Sequence, residues 1–124
     1  MKEGECWSYT ARPGEDASYL VIRKIETLPK IGEVIHVSVF DLKIKSPSAQ
    51  KGFTDRAAHL PIAGANVRAS LKARIQKKVP DVDWKDGYRM WREAYDAGKG
   101  GVFTKPVREC VGFLEEALGR AEKG

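Results

Sequence analysis

The feature that most constrains the fold is a change in the spacing of apolar residues near Pro61. Before this point they recur at every second position, which is typical of strands, and after it at every third or fourth, which is typical of helices. In EVIHVSVFDLKI (33–44), for example, Ile35, Val37 and Val39 share one side. A chain whose strands precede its helices is predicted to adopt an α+β fold.

Three strands are predicted in the first third of the chain, at 5–12, 18–28 and 33–44. The connections at 12–16 and 29–32 contain proline and glycine and are short enough to be turns. Consecutive strands joined by short turns pair with each other. The expected sheet is therefore an antiparallel three-stranded meander at the N-terminus.

The next segment, 45–61, has no apolar repeat, and it is rich in serine, proline, glycine and lysine. We predict a long loop here, mobile and sensitive to protease. A first helix is predicted beyond it, because Val67, Leu71 and Ile75 recur every four residues before Pro80 ends the pattern.

Two further helices are predicted near the C-terminus. Asp81 or Asp83 is a candidate N-cap for the first of them, and Gly98 is placed to end it. Four aromatic residues share one face of this helix and are predicted to be core: Trp84, Tyr88, Trp91 and Tyr95. The last helix follows Thr104. Residues 1–124 are thus expected to form a single α+β domain, the meander packing against about three C-terminal helices.

Positive charge is concentrated in the middle of the chain. The net charge is +5, but residues 43–78 contain nine bases and one acid, so the other residues together are acidic. Such a segment is a candidate surface for an anionic partner. The candidate partner-binding residues, with one histidine of the same segment, are Lys43, Lys45, Lys51, Arg56, His59, Arg68, Lys72 and Lys77.

No catalytic, metal or cofactor motif is found, and none of these sites is predicted. His36 shares a strand face with Val34 and Phe40, so we interpret it as a half-buried imidazole with its hydrogen bonds satisfied. His59 lies at the end of the predicted loop, where it is expected to be exposed. The acids are scattered among bases, so spacing alone nominates no acid–base pair.

The two cysteines, Cys6 and Cys110, are far apart and lack metal or redox spacing, so both are expected to be reduced thiols. The N-terminal residues have no apolar signal segment, and no apolar run is long enough to span a membrane. A cytoplasmic location is the resulting expectation.

Several stretches together resemble a family of small stand-alone bacterial proteins without an assigned activity. They are GECWSYTARPGEDASYLVIRKIE, GEVIHVSV, HLPI and DGYRMWREAYDAGKGGVFTKPV. In size and style, such proteins resemble immunity and antitoxin proteins, which neutralise a toxin by covering it.

This resemblance implies a non-catalytic module that binds another protein, such as a toxin. A nucleic-acid-binding module using residues 43–78 is the alternative. A small enzyme whose site is assembled from scattered residues is the second alternative. The oligomeric state is left open.

Overall fold

The computed structural model describes residues 1–45 and 52–123, without the side chains of 53 and 120–123. The strands are β1 (Cys6–Tyr9), β2 (Tyr19–Leu28), β3 (Gly32–Lys45), β4 (Phe53–Ala63) and β5 (Leu71–Ile75). The helices are α1 (Gly64–Ser70), α2 (Trp84–Asp96) and α3 (Val107–Lys123). The α+β class is confirmed, with five strands in place of the three predicted.

The strands form one antiparallel sheet in the order β4-β3-β2-β1-β5. Its first four strands follow one another as a meander, whereas β5 returns to pair with β1 at the opposite edge from β4. Strand β3 is buried on both faces from Val34 to Phe40. The sheet is therefore the middle of three layers.

The first face of the sheet carries the larger core, on which α1 and α3 pack. Leu20 and Ile22 of β2 face this side, as do Val37 and Val39 of β3, and none of the four is accessible to solvent. The helices contribute four buried side chains to the same cluster: Val67, Val107, Cys110 and Val111.

The second face has a smaller apolar core and a polar region beside it. The apolar part consists of Cys6, Tyr19, Val21 and Phe40, partly covered by residues that follow β5. Helix α2 lies over the polar region around His36. The second face is thus divided between a hydrophobic cluster and a cluster of titratable groups.

The prediction of a loop at 45–61 is wrong over 53–61, which forms the edge strand β4. Aspartate, alanine, histidine and proline obscure the strand in the sequence, because none of them favours β structure. Pro61 is compatible with an edge strand, where a backbone N–H is not needed on the outer side. The protease sensitivity predicted for this segment concerns trypsin sites at Lys45, Lys51 and Arg56. Lys45 is the last residue of β3, Arg56 lies within β4, and Lys51 lies outside the described residues.

The prediction of a helix after Pro61 is also wrong beyond Ser70, because Leu71–Ile75 forms strand β5. A spacing of four residues is close to one helical turn, but it is also twice the strand repeat. Leu71 and Ile75 therefore fit either element, and pairing with β1 selects the strand.

The predictions for α2 are confirmed at its ends. The Asp83 side chain accepts a hydrogen bond from the Asp86 N–H at 3.0 Å, and Gly98 has a φ of +79° just beyond the helix. The aromatic stripe faces the sheet as predicted. None of its residues is fully buried, however, so the stripe covers the polar region and is not part of the core.

Cys6 and Cys110 are both buried free thiols, as predicted. They lie in the clusters on opposite faces of the sheet. Within the described ranges, no helix has the length and hydrophobicity that crossing a membrane requires.

Candidate functional site

The polar region on the second face is assembled from β2, β3 and β4. Alternation along β3 places His36 on this face, at a position with no solvent exposure. A register shift between Ile22 and Lys24 then pairs Lys24 with His36 and Glu26 with Val34. The bulge thus turns the charged half of β2 toward the second face.

A continuous row of hydrogen bonds joins a carboxylate to two imidazoles. Glu26 Oε2 lies 2.7 Å from His36 Nε2, and His36 Nδ1 lies 2.8 Å from His59 Nε2. The two imidazole planes differ by 15°, and their centroids are 5.0 Å apart. The distance between the ring centroids exceeds the distance between the hydrogen-bonded nitrogens by nearly the sum of the two ring radii. The two rings therefore lie nearly in one plane and meet edge to edge.

Helix α2 closes over this row with its aromatic face. The Tyr88 hydroxyl donates to Glu26 Oε1 at 3.2 Å, and Arg92 Nη1 donates to the same oxygen at 3.0 Å. The rings of Tyr88 and Trp91 lie 4.8 and 4.9 Å from the His36 ring, both steeply inclined to it. His36 is therefore held on both nitrogens and enclosed by aromatic rings. Its predicted satisfied state is confirmed, at full burial.

Burial lowers the pKa of both histidines. Desolvation lowers the pKa of His36, although Glu26 opposes it by stabilising the charged form. Desolvation, with a smaller contribution from His36, lowers the pKa of His59 to about 4. Both imidazoles are neutral at neutral pH.

Acid is expected to destabilise the fold through these histidines. Their folded-state pKa values lie below the ordinary histidine value of about 6.5, so their contribution to stability is complete above about pH 6.5 and is lost as the pH falls below it. For His59 the loss continues to about pH 4, its folded-state pKa. The free energy of unfolding measured with urea should be larger at about pH 7.5 than at about pH 5. The expected difference is about 1–2 kcal/mol, allowing for the partial exposure of His59. The charged and titratable groups around the pair are Lys24, Glu26, Tyr88 and Arg92.

His59→Gln should reduce that difference, because an amide replaces the titrating ring. Carboxylates with lowered pKa values, such as Glu15, weaken the fold only at more acidic pH, below about 4.5. An unchanged pH dependence in the variant would show that His59 is not the titrating group.

His59 connects the row to the surface. It lies in β4 and is half-buried, not exposed on a loop as predicted. Its Nδ1 has no hydrogen bond to any described residue, and no described buried side-chain nitrogen or oxygen lacks a partner. Nδ1 is therefore accessible to solvent.

A groove of about 390 Å³ follows β4 at this point. Gly87 of α2 contributes to one wall, and an added Cβ there would lie 3.0 Å from the His59 Cβ. The lining residues are Thr54, Arg56, Ala57, Ala58, His59, Gly87, Leu114 and Leu118. The groove thus lies at a sheet edge, with one helix on each face.

The basic candidate residues do not form one surface. Arg56 and Lys77 lie on the second face, against the rings of Phe40 and Tyr19 respectively. Arg68 belongs to α1, and its guanidinium pairs with Glu33.

Three other candidate lysines are exposed, at two other places in the fold. Lys43 and Lys45 lie at the end of β3, and Lys72 lies on β5, within the range predicted as helix. Lys51 is outside the described residues. Of the candidate residues that the structure describes, Arg56 and His59 are the two that line the groove.

Sequence reasoning missed Glu26, Tyr88 and Arg92 as parts of the site. Glu26 lies 10 residues from His36, and Tyr88 lies 62 residues from Glu26, so no short motif contains them. One available signal was the polar pair His36 and Ser38 inside an otherwise apolar strand. Such residues need buried partners.

Comparisons of the chain with protein-family models, with curated proteins and with solved structures found no match. The site must therefore be interpreted from its own geometry.

Proposed function

We propose that this chain is a protein-binding module that takes up an extended segment of its partner along the edge of β4. The observation that carries the proposal is the groove beside this strand, walled by α2 on one face of the sheet and α3 on the other. Extended peptides bind sheet edges by adding a strand, with backbone hydrogen bonds giving affinity and side-chain pockets giving specificity.

Part of this edge already pairs with an extended segment of the chain itself. Phe103 forms a parallel bridge with Ile62, in which the Ala63 N–H donates to the Phe103 carbonyl at 2.8 Å. The Phe103 N–H in turn donates to the Pro61 carbonyl at 3.0 Å. Between Arg56 and Leu60, no described residue pairs with the backbone of β4 on its outer side. This stretch is where a partner strand would continue.

The two walls suit the two sides of an extended peptide. Alternate side chains of a strand point to opposite faces. Those on the first face would meet Leu114 and Leu118 of α3, and those on the second would meet His59 and Gly87. The groove therefore favours a segment in which apolar residues alternate with small or polar ones.

A protected edge is the competing explanation. Sheet edges commonly carry bulges and charges that prevent pairing, and β4 has register shifts against β3 and a charged Arg56. Bulges and charges protect a sheet edge without helices packed beside it on both faces. The walls therefore favour binding over simple protection.

The narrower hypothesis, neutralisation of a toxin by covering it, is supported by the family resemblance in size and style. Binding of nucleic acid is favoured less, because the basic candidates are spread over both faces and one sheet edge. Two of their arginines are also neutralised, Arg56 by Asp55 and Arg68 by Glu33.

Selection from a displayed library of random peptides tests the proposal. Selected peptides should shift the backbone amide resonances of β4 and slow hydrogen exchange of its outward-facing N–H groups between Arg56 and Leu60. Leu118→Asp should weaken their binding by about ten-fold or more, because a carboxylate replaces part of the apolar wall.

Leu71→Asp is the matched control. Leu71 is also a half-buried leucine packed against the large core, but it lies in β5 at the opposite edge. This variant should carry a similar stability cost and bind the peptides normally. Peptides that perturb β5, or that bind both variants equally, would contradict the proposal.

A further inference from the structure

We infer that the groove presents a fixed hydrogen-bond acceptor, the unprotonated Nδ1 of His59, and selects a partner residue with a hydroxyl or amide donor over a carboxylate. This inference rests on the proposed function, since it specifies which side chain the bound segment places opposite His59. It follows from the order of donors and acceptors along the row that begins at Glu26.

The proton positions are determined from the carboxylate outward. Tyr88 and Arg92 both donate to Oε1 of Glu26, and the Arg92 guanidinium forms an ion pair with this carboxylate, so the other oxygen, Oε2, is the acceptor that faces His36. His36 must therefore carry its proton on Nε2, which leaves Nδ1 as an acceptor. His59 must then donate from Nε2 at 2.8 Å, which leaves its own Nδ1 bare in the groove.

A charged His36 would reverse the second half of the row, because both of its nitrogens would then donate. Full burial opposes that state, and desolvation lowers the pKa of His36 despite the adjacent carboxylate. Lys24 and Arg92 are also close enough to disfavour another positive charge. Both imidazoles of the row are thus neutral at neutral pH, and His36 donates only from Nε2.

The bare nitrogen distinguishes donors from acceptors. A cationic side chain could also donate to Nδ1, since Arg56, which lines the same groove, is paired with Asp55 and leaves little net charge there. A carboxylate would place its lone pairs against the lone pair of Nδ1. Serine, threonine, asparagine and glutamine fit the position, and aspartate and glutamate do not.

The row also makes the polarity of the groove depend on Glu26, which does not line it. In Glu26→Gln, the two donors Tyr88 and Arg92 at Oε1 require the amide oxygen at that place. The amide nitrogen then faces His36 Nε2 and donates to it. His36 Nδ1 becomes the donor, His59 Nε2 the acceptor, and His59 Nδ1 carries the proton.

Nitrogen-15 NMR of the histidine rings tests this order without any ligand. At about pH 7.5, above the ordinary histidine pKa, His59 Nδ1 should have the chemical shift of a bare nitrogen in the wild type and that of a protonated nitrogen in Glu26→Gln. Glu33→Gln is the control, because Glu33 is also a strand carboxylate paired with an arginine and contacts neither histidine. A protonated Nδ1 in the wild type overturns the inference.

The peptide library then tests selectivity. Side chains with ring contacts to His59 should be hydroxyl- or amide-bearing for the wild type, and an aspartate at that position should weaken binding about ten-fold. Glu26→Gln should reverse this preference, and Glu33→Gln should retain it. If Glu26→Gln does not fold, the wild-type measurements decide alone.

The two proposals fail in distinguishable ways. Groove-bound peptides with aspartate or glutamate opposite His59 overturn this inference and leave the proposed function standing. A library that yields no groove-binding peptide overturns both.

Discussion

Replacing Phe40 with alanine is expected to lower the free energy of unfolding by about 3–5 kcal/mol. Phe40 is 2% exposed, and its ring stacks on Tyr19 with centroids 5.5 Å apart. It is one of four buried residues in the apolar cluster of the second face, so no large neighbouring core can refill its volume. The substitution also removes the ring over which the Arg56 guanidinium lies, 5.7 Å from its centroid.

Urea or guanidinium unfolding followed by circular dichroism measures this loss. Met90→Ala is a suitable control, because Met90 is 60% exposed on α2 and should change stability by no more than about 0.5 kcal/mol. A Phe40→Ala cost below about 1 kcal/mol would show that the second face is not tightly packed.

Replacing His36 with leucine is expected to cost about 2–4 kcal/mol, although it introduces a larger apolar surface. Stability is lost because leucine cannot replace the two hydrogen bonds of His36. The His59 Nε2–H and Oε2 of Glu26 then lack a hydrogen-bond partner beneath α2. Glu26 keeps its bonds to Tyr88 and Arg92, which limits the cost. The same unfolding measurement, made at about pH 7.5, determines it.

A double substitution separates lost hydrogen bonding from altered packing. If the His36→Leu cost comes partly from an unpaired His59, then adding His59→Leu removes the orphaned donor. The combined loss should be smaller than the sum of the two single losses by about 1 kcal/mol. Strictly additive losses would mean that the hydrogen bond between the rings contributes nothing measurable.

The elements that could be predicted from the sequence are those whose apolar residues fit only the strand repeat or only the helix repeat. Strand β3 alternates over many residues, and α2 has both its cap at Asp83 and its stop at Gly98. Strand β4 could not be recognised, because alanine, histidine and proline carry little strand preference, and pairing with β3 imposes the conformation. Strand β5 was ambiguous, since a four-residue spacing satisfies both a helix and a strand.

The site was less predictable than the fold for a related reason. His36 was correctly interpreted as satisfied, but its partners Glu26 and His59 come from two different neighbouring strands. Which residues face each other depends on strand register, and here a bulge in β2 sets that register. A bulge of this kind leaves no clear signal in a single sequence.

The position of β5 beside β1 has a consequence for how the chain reaches its native state. Contacts such as that between Ser8 and Ala73 join residues 65 positions apart, whereas β1 to β4 pair with sequence neighbours. Closing so long a loop before its contacts form slows folding, as in other proteins rich in distant strand pairs. During synthesis, β1 is made first, and one of its edges stays open until residues 71–75 have left the ribosome. The meander can therefore assemble early, and completion of the sheet is a late, slow step.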